Sequence, residues 1–218
     1  MWPRMRRLVT QGNTRPTKPF DRTGLRDLSD YELAELESAN EMRVFNRLVE
    51  LAEVQIAAGR LSVRPSMLLD LNRLVLDGLD GAAGQWRPVS IGIGNSLHTP
   101  PPPEQVPALI EDLCDVLNGD ATGSSIHKAA YALWRINWIH PFVNGNGRTA
   151  RAVCYMVLCI SEGGLLQGRK TVPDLIKTYR QDYWDALEDA DANEAAGESD
   201  VAAVEEFLDR LVIEQLRS

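Results

Sequence analysis

The stretch His140-Pro-Phe-Val-Asn-Gly-Asn-Gly-Arg-Thr-Ala-Arg151 decides how the rest of the chain is read. Asn-Gly-Asn-Gly by itself signals a tight turn, because glycine and asparagine tolerate positive φ. The neighbours ask for more than a turn. A histidine stands just upstream, Arg148 and Arg151 follow three residues apart, and an apolar run from Ala152 to Ile160 reads as a buried helix or strand. If the run is a helix, it receives the glycine-rich loop at its N-terminus, where free backbone N–H groups and the positive dipole end favour phosphate. Arg148 and Arg151, at i and i+3, then project from neighbouring positions with forked donors suited to outer phosphates. His140, with an unperturbed pKa of about 6.5, supplies a neutral imidazole able to take a proton from a hydroxyl near pH 7. In-line attack of that hydroxyl on phosphorus, with amides and guanidinium groups stabilising the developing charge, is the reaction such a site suits.

Composition sets the limits around this motif. A chain of 218 residues suits one domain with a substantial core. Its net charge of −8 gives no global attraction to nucleic acid or an anionic membrane, so any phosphate binding has to be local. No stretch approaches the ~20 consecutive apolar residues of a membrane span. Met1 to Val9 is basic but is followed by no apolar segment of the secretory kind. Cys114, Cys154 and Cys159 form an odd count without C-x-x-C spacing and read as reduced core residues, which fits a cytoplasmic setting.

Residues 1 to 28 read as a basic arm, with Arg4, Arg6, Arg7, Arg15, Lys18, Arg22 and Arg26 against two acids, three prolines and no periodicity. Such an arm is read as a solvated tail or a strap over an acidic body, not as a nucleic-acid binder. From Ser29 to the C-terminus the pattern is that of one helical domain, its core at about residues 60 to 190. Ser29 with Glu32 forms a capping box, and Leu33, Leu36, Asn40, Val44, Leu48 and Leu51 recur at helical spacing to about Ala58. Further helices are expected over Ser66 to Leu76, Glu104 to Leu117, Ile126 to Ile139 with Ser125 as N-cap, and Thr149 to Glu162. One segment from Pro173 through Tyr183 to Ala190 and a last helix from Val201 to Leu216 complete the series. Residues 84 to 103 differ. Alternating Val89, Ile91 and Ile93, punctuated by Gly92 and Gly94 and ended by four prolines, predict a small β-hairpin or extended flap. A strand pair with unpaired backbone could take up an extended segment of another protein, with Ile93, Leu97, His98 and Thr99 at the docking edge. The expectation is an all-α bundle of about six to eight helices with a small β-hairpin flap.

The other histidines, His98 and His127, lack ligand spacing with a second histidine or a cysteine, which argues against zinc. Phe142 reads as an apolar peg anchoring the loop in the core.

The motif resembles the signature of Fic-domain (Fic/Doc) proteins, His-x-Phe-x-(Asp/Glu)-Gly-Asn-Gly-Arg-x-x-Arg, and matches every fixed position but one. Ala83, Gly84, Trp86 and Arg87 also resemble the stretch that leads into the flap of such proteins. The resemblance implies a protein adenylyltransferase, which moves AMP from ATP to a Ser, Thr or Tyr hydroxyl of a target protein and releases pyrophosphate. It further implies His140 as general base and Gly145, Asn146 and Gly147 lining the anion hole. Arg148 would hold the inner phosphates, Arg151 the terminal one, and Tyr183 would lie near the base. Asn144 is the departure, since the family carries Asp or Glu there to help hold Mg²⁺. An amide oxygen lacks that charge, so weak metal binding and lowered activity are expected. Gly147 leans towards nucleotide transfer, because Doc-type toxins that move a phosphate carry Lys at that position. Two alternatives stay open: a nucleotide-binding regulatory protein with little catalysis, or transfer of another phosphate-containing group such as UMP, phosphate or phosphocholine. The inhibitory pattern (Ser/Thr)-x-x-x-Glu-(Gly/Asn) of many Fic proteins has no match. Self-inhibition is then absent, comes from a separate antitoxin-like partner, or falls to Glu41 in a variant geometry. A homodimer is compatible with the resemblance.

Overall fold

The computed structural model describes residues 28–94, 96, 98–119 and 123–218. The basic arm, up to residue 27, and Leu97 of the flap lie outside the described residues. Eight α-helices run in the order α1 (Asp30–Ala57), α2 (Pro65–Val75), α3 (Val106–Asn118), α4 (Ser125–Ile139), α5 (Asn146–Ser161), α6 (Val172–Thr178), α7 (Arg180–Ala195) and α8 (Ala202–Leu216). A short 3-10 turn, Pro103–Gln105, leads into α3. The expected all-α architecture is what the chain adopts.

The antiparallel pair α4 and α5 forms the centre. From Ala152 to Ile160 every side chain of α5 is buried, because α1, α2 and α6 pack around it while α4 fills the remaining side. Ser29 caps α1 as expected: its N–H donates to Glu32 Oε2 at 2.8 Å, and the Glu32 N–H donates back to Ser29 Oγ at 3.3 Å. Two asparagines, Asn40 buried and Asn118 exposed, then join the early helices. Asn40 Nδ2 donates to the Asp77 carbonyl at 2.8 Å, holding α1 against the end of α2. Asn118 exchanges two bonds with the backbone of Val63, at 2.7 and 2.9 Å.

Four expectations change. Ser124, not Ser125, caps α4, its Oγ accepting from the His127 N–H at 3.2 Å. Helix α5 starts at Asn146, three residues early, because Gly145 takes the left-handed N-cap geometry at φ 77°. The segment after Pro173 is two helices broken at Tyr179 (φ −97°, ψ 47°), whose hydroxyl donates to Glu214 at 3.2 Å beneath Arg210. Finally, the flap is extended but unpaired, and no strand occurs among the described residues.

The side chain of Arg87 is the physical reason for the missing hairpin. Its guanidinium is buried and donates from Nη1 to the Val89 carbonyl at 3.0 Å and from Nη2 to the Pro101 carbonyl. Carbonyls that a ladder would use are thus taken by a side chain, and Pro88 and the later prolines have no N–H to offer. Nε of the same guanidinium binds the His140 carbonyl at 2.8 Å, and Nη2 reaches the Ile139 carbonyl at 3.4 Å. One cation therefore ties both ends of the flap to the end of α4. Burial pulls its pKa below the usual arginine value. Arg87→Ala should lower unfolding stability by on the order of 3 kcal/mol, since buried carbonyls lose charged donors together. Urea unfolding checks this, and a midpoint equal to wild type would remove the latch from the account.

Candidate active site

Helix α4 ends at Ile139, and His140 swings into left-handed backbone with φ 50° and ψ 58°. Among the described residues no other non-glycine residue has positive φ. That conformation costs of order 1 kcal/mol or more and persists only where the surroundings enforce it. Here they do. The His140 carbonyl is held by Arg87 Nε, the Arg87 N–H donates to the Pro141 carbonyl at 2.9 Å, and the His140 N–H stays on the Ile136 carbonyl at 2.9 Å. The turned backbone places Nδ1 of the ring 3.1 Å from the Asn137 carbonyl oxygen. A carbonyl only accepts, so Nδ1 carries the proton in the neutral ring, and Nε2 is left with its lone pair.

The loop that follows is stapled from within. Phe142 is 1% exposed and packs 5.0 Å from the Trp86 ring, a peg in the core. The Phe142 N–H donates to Asn146 Oδ1 and Asn146 Nδ2 donates to the Phe142 carbonyl, both at 2.8 Å. The side chain of Asn146 is thereby engaged, and what it can offer an anion is its backbone N–H. Asn72 of α2 adds an outer pin. Its Nδ2 donates to the Asn144 carbonyl at 3.0 Å and to Thr149 Oγ1 at 3.3 Å, and its Oδ1 accepts from the Gly84 N–H at 3.0 Å. Gly145 has to be glycine twice over: besides its φ of 77°, a Cβ there would lie 3.0 Å from Asn72 Nδ2 and 3.1 Å from Val75 Cγ1.

No side chain caps α5. The amides of its first turn, which have no partner inside the helix, open onto a cavity of about 1230 Å³ that also meets His140, Arg148, Arg151 and Tyr183. Arg151 has no hydrogen-bond or ion-pair partner among the described residues. Its Nη1 lies only 3.3 Å from where a Gly147 Cβ would stand, so a side chain at 147 would crowd it. Arg148 meets α1, with Nη1 3.4 Å from Glu37 Oε1. Glu41, one turn further along, binds Lys177 of α6 at 2.9 Å. The carboxylate facing a motif arginine is thus Glu37, while Glu41 closes the rim of the cavity.

Asn144 turns its side chain into its own loop, Oδ1 accepting from the Gly145 N–H at 2.7 Å. Among the described residues no group of three or more His, Cys, Asp or Glu could hold a metal ion. A hard divalent cation wants a shell of oxygens built on carboxylates or phosphates, and one engaged neutral amide does not fit that need. The described residues by themselves do not make a Mg²⁺ site.

Tyr183 is 5% exposed, its ring stacked on Phe207 at 6.0 Å. It borders the cavity, and Phe207 covers one face of its ring. Burial pushes that phenol up to about 12, so it stays protonated. Of the flap residues, Ile93 lines the cavity wall and Thr99 is exposed. His98 turns inward, with Nε2 2.8 Å from the Trp138 carbonyl, and is engaged with α4. His127 pairs with Glu205 on α8 at 2.7 Å, away from the cavity. All three cysteines are free and buried.

An all-helical domain with a histidine beside an uncapped, glycine-led helix start and two arginines defines a class built to handle an anion next to a proton acceptor. Residues 62–158 match the model of the Fic/DOC family. It is 35% identical over 94 residues to Protein adenylyltransferase fic-1 of Caenorhabditis elegans, covering 42% of this chain and 18% of that protein. Over 102 residues it is 32% identical to Protein adenylyltransferase Fic of Drosophila willistoni, covering 45% of this chain and 20% of that one. The matched stretch thus spans about a fifth of these curated relatives' length. The crystal structure of a Fic family protein from Desulfovibrio desulfuricans superposes with a TM-score of 0.61 at 25% identity, over 81% of this chain and 51% of that one. Fic-1 (residues 134–508) from C. elegans gives 0.63 at 22% identity, over 88% of this chain and 51% of that one, a likeness of fold.

Sequence reading assigned no site role to Glu37, Asn72 or Asn137, and used Arg87 only as part of the flap pattern. The available signal was polarity on a buried stripe: Asn72 follows Leu68 and Leu71 on the same apolar face. Because the Glu37 carboxylate competes with any anion for Arg148, Glu37→Gln should raise the affinity for inorganic pyrophosphate roughly two- to fivefold, the worth of a partly exposed pair. Titration calorimetry measures it; unchanged affinity would mean that the pair does not guard the cavity.

Proposed function

We propose that the chain is a protein adenylyltransferase acting on Ser, Thr or Tyr hydroxyls of a protein, with ATP as donor. The observation that carries this reading is the ring of His140, pinned through Nδ1 to the Asn137 carbonyl so that Nε2 is the acceptor, at the edge of an uncapped helix start. The curated relatives named adenylyltransferases support it. In this reading Nε2 takes the proton of the target hydroxyl, whose oxygen attacks the α-phosphorus in line. The bond from that phosphorus to the bridging oxygen breaks, and its electron pair leaves with pyrophosphate. The turn Gly145-Asn146-Gly147 lines the phosphates, with the amides of Asn146 and Gly147 donating, Arg148 binds the inner ones, Arg151 the terminal one, and Ile93 borders the target side. Mg²⁺ is proposed as an ion carried by the triphosphate, with Asn144 contributing little, and the setting is cytoplasmic.

A second reading, a nucleotide-binding regulator with little catalysis, draws on Asn144, whose oxygen is bound to an amide of the same loop. Incubation with ATP labelled on the α- or γ-phosphate, in parallel with His140→Ala, separates the possibilities. AMP transfer puts α-label on protein and loses it by roughly a hundredfold or more in the mutant, as expected for removal of a general base. Protein label from γ alone would indicate phosphate transfer, and binding without label the regulator. Asn144→Asp should raise the rate and strengthen its dependence on Mg²⁺ concentration; a rate and dependence like wild type would end metal weakness as an explanation.

A further inference from the structure

Three groups gather where α4, α5 and α7 meet: Asn137, Arg151 and Tyr183. Asn137 Nδ2 donates to the Leu133 carbonyl at 2.7 Å, and since a carbonyl can only accept, the orientation of this amide is settled. The second hydrogen of Nδ2 goes to the Tyr183 oxygen at 2.9 Å. Tyr183 is therefore an acceptor towards Asn137, and its own O–H has no acceptor among the described residues. A phenol only 5% exposed that borders a cavity thus keeps one donor for which no described residue supplies an acceptor. Arg151, near enough to act on the Tyr183 phenol electrostatically, is likewise without a partner among the described residues. Two unmatched donors beside each other, one cationic and one neutral, fit an anion with several oxygens.

Resting on the adenylyltransferase reading above, we propose that the Tyr183 hydroxyl donates to the terminal phosphate of the nucleotide, with Asn137 as the positioning residue that turns its proton into the cavity. This differs from a contact with the base, which would use a ring face, one of which is covered by Phe207. It makes the site a gauge of tail length. The hydroxyl is matched by a triphosphate and left unmatched by a nucleotide whose tail ends short of it. Asn137 suits the task because it is neutral: it fixes the phenol through a donated bond and gives Arg151 no carboxylate to pair with.

Titration calorimetry of ATP, ADP, AMP and inorganic pyrophosphate into wild type and Tyr183→Phe tests the inference, with thermal melts as the control for folding. The ring stays stacked on Phe207 in the mutant, so its fold should hold. ATP and pyrophosphate should bind about tenfold more weakly to Tyr183→Phe, the worth of one hydrogen bond to a charged group. AMP should be unaffected, so the ratio of ATP to AMP affinity falls. In Asn137→Asp the new carboxylate draws the phenol proton to itself, and the same ratio should fall although the hydroxyl is present. Equal affinities of wild type and Tyr183→Phe for ATP and pyrophosphate would overturn the proposal, as would an equal loss for AMP. Pyrophosphate binding that depends on Tyr183, in a protein that takes up no nucleotide, would keep the anion subsite and refute the adenylyltransferase reading instead.

Discussion

The left-handed turn at His140 is the constraint on which the site depends. A helix would otherwise carry its last residue onward, but Pro141 has no N–H to continue it and cannot follow an α-helical residue comfortably. The turn lets the chain reverse within a few residues, so that α4 and α5 lie side by side and the end of one meets the start of the other. It also tips the imidazole back onto the last turn of its own helix, where the Asn137 carbonyl chooses the tautomer. Arg87 holds the strained carbonyl from behind, and the same guanidinium fastens the flap at Val89 and Pro101. Backbone strain, ring tautomer and flap position are thus one coupled feature.

Around this turn the chain pins its loop with neutral amides. Asn72, Asn137 and Asn146 each use both ends of the side chain or both hydrogens of the amide nitrogen, and none brings a charge. The choice has an electrostatic reason. A carboxylate in place of Asn137, which shares the surroundings of Gly147 with Arg151, would neutralise that arginine before a ligand arrived. Of the acids that line the cavity, Glu37 and Glu41 come from α1 at the rim, where water weakens their hold, and Glu188 and Asp191 come from α7. The cavity therefore keeps a positive floor under an acidic lip, inside a chain whose overall charge is negative.

Much of the helical framework was legible because it rests on local chemistry. The Ser29–Glu32 capping box, the apolar run of α5 and the proline after α4 each act within a few residues. Where expectation and structure part, a distant partner is responsible. The flap alternates like a strand, yet Arg87 and a run of prolines leave it without a ladder. The segment after Pro173 looks continuous, yet Tyr179 leaves the helix to meet Glu214 and Arg210 on α8. Helix α5 gains three residues because Gly145 can adopt a geometry that only its close fit against Asn72 and Val75 makes necessary.

By itself the amino-acid sequence determined the helical class, the place of the glycine-rich turn and the identity of the one histidine set beside it. Those follow from periodicity, from the conformational freedom of glycine and from the chemistry of side chains adjacent in the chain. Only the tertiary structure decided which ring nitrogen is left to accept a proton, which acid faces Arg148, and that a tyrosine 43 residues beyond the histidine brings its hydroxyl to Asn137. These outcomes depend on where α1, α4 and α7 cross. Crossing geometry is set by the packing of whole helices, which no local run of residues encodes.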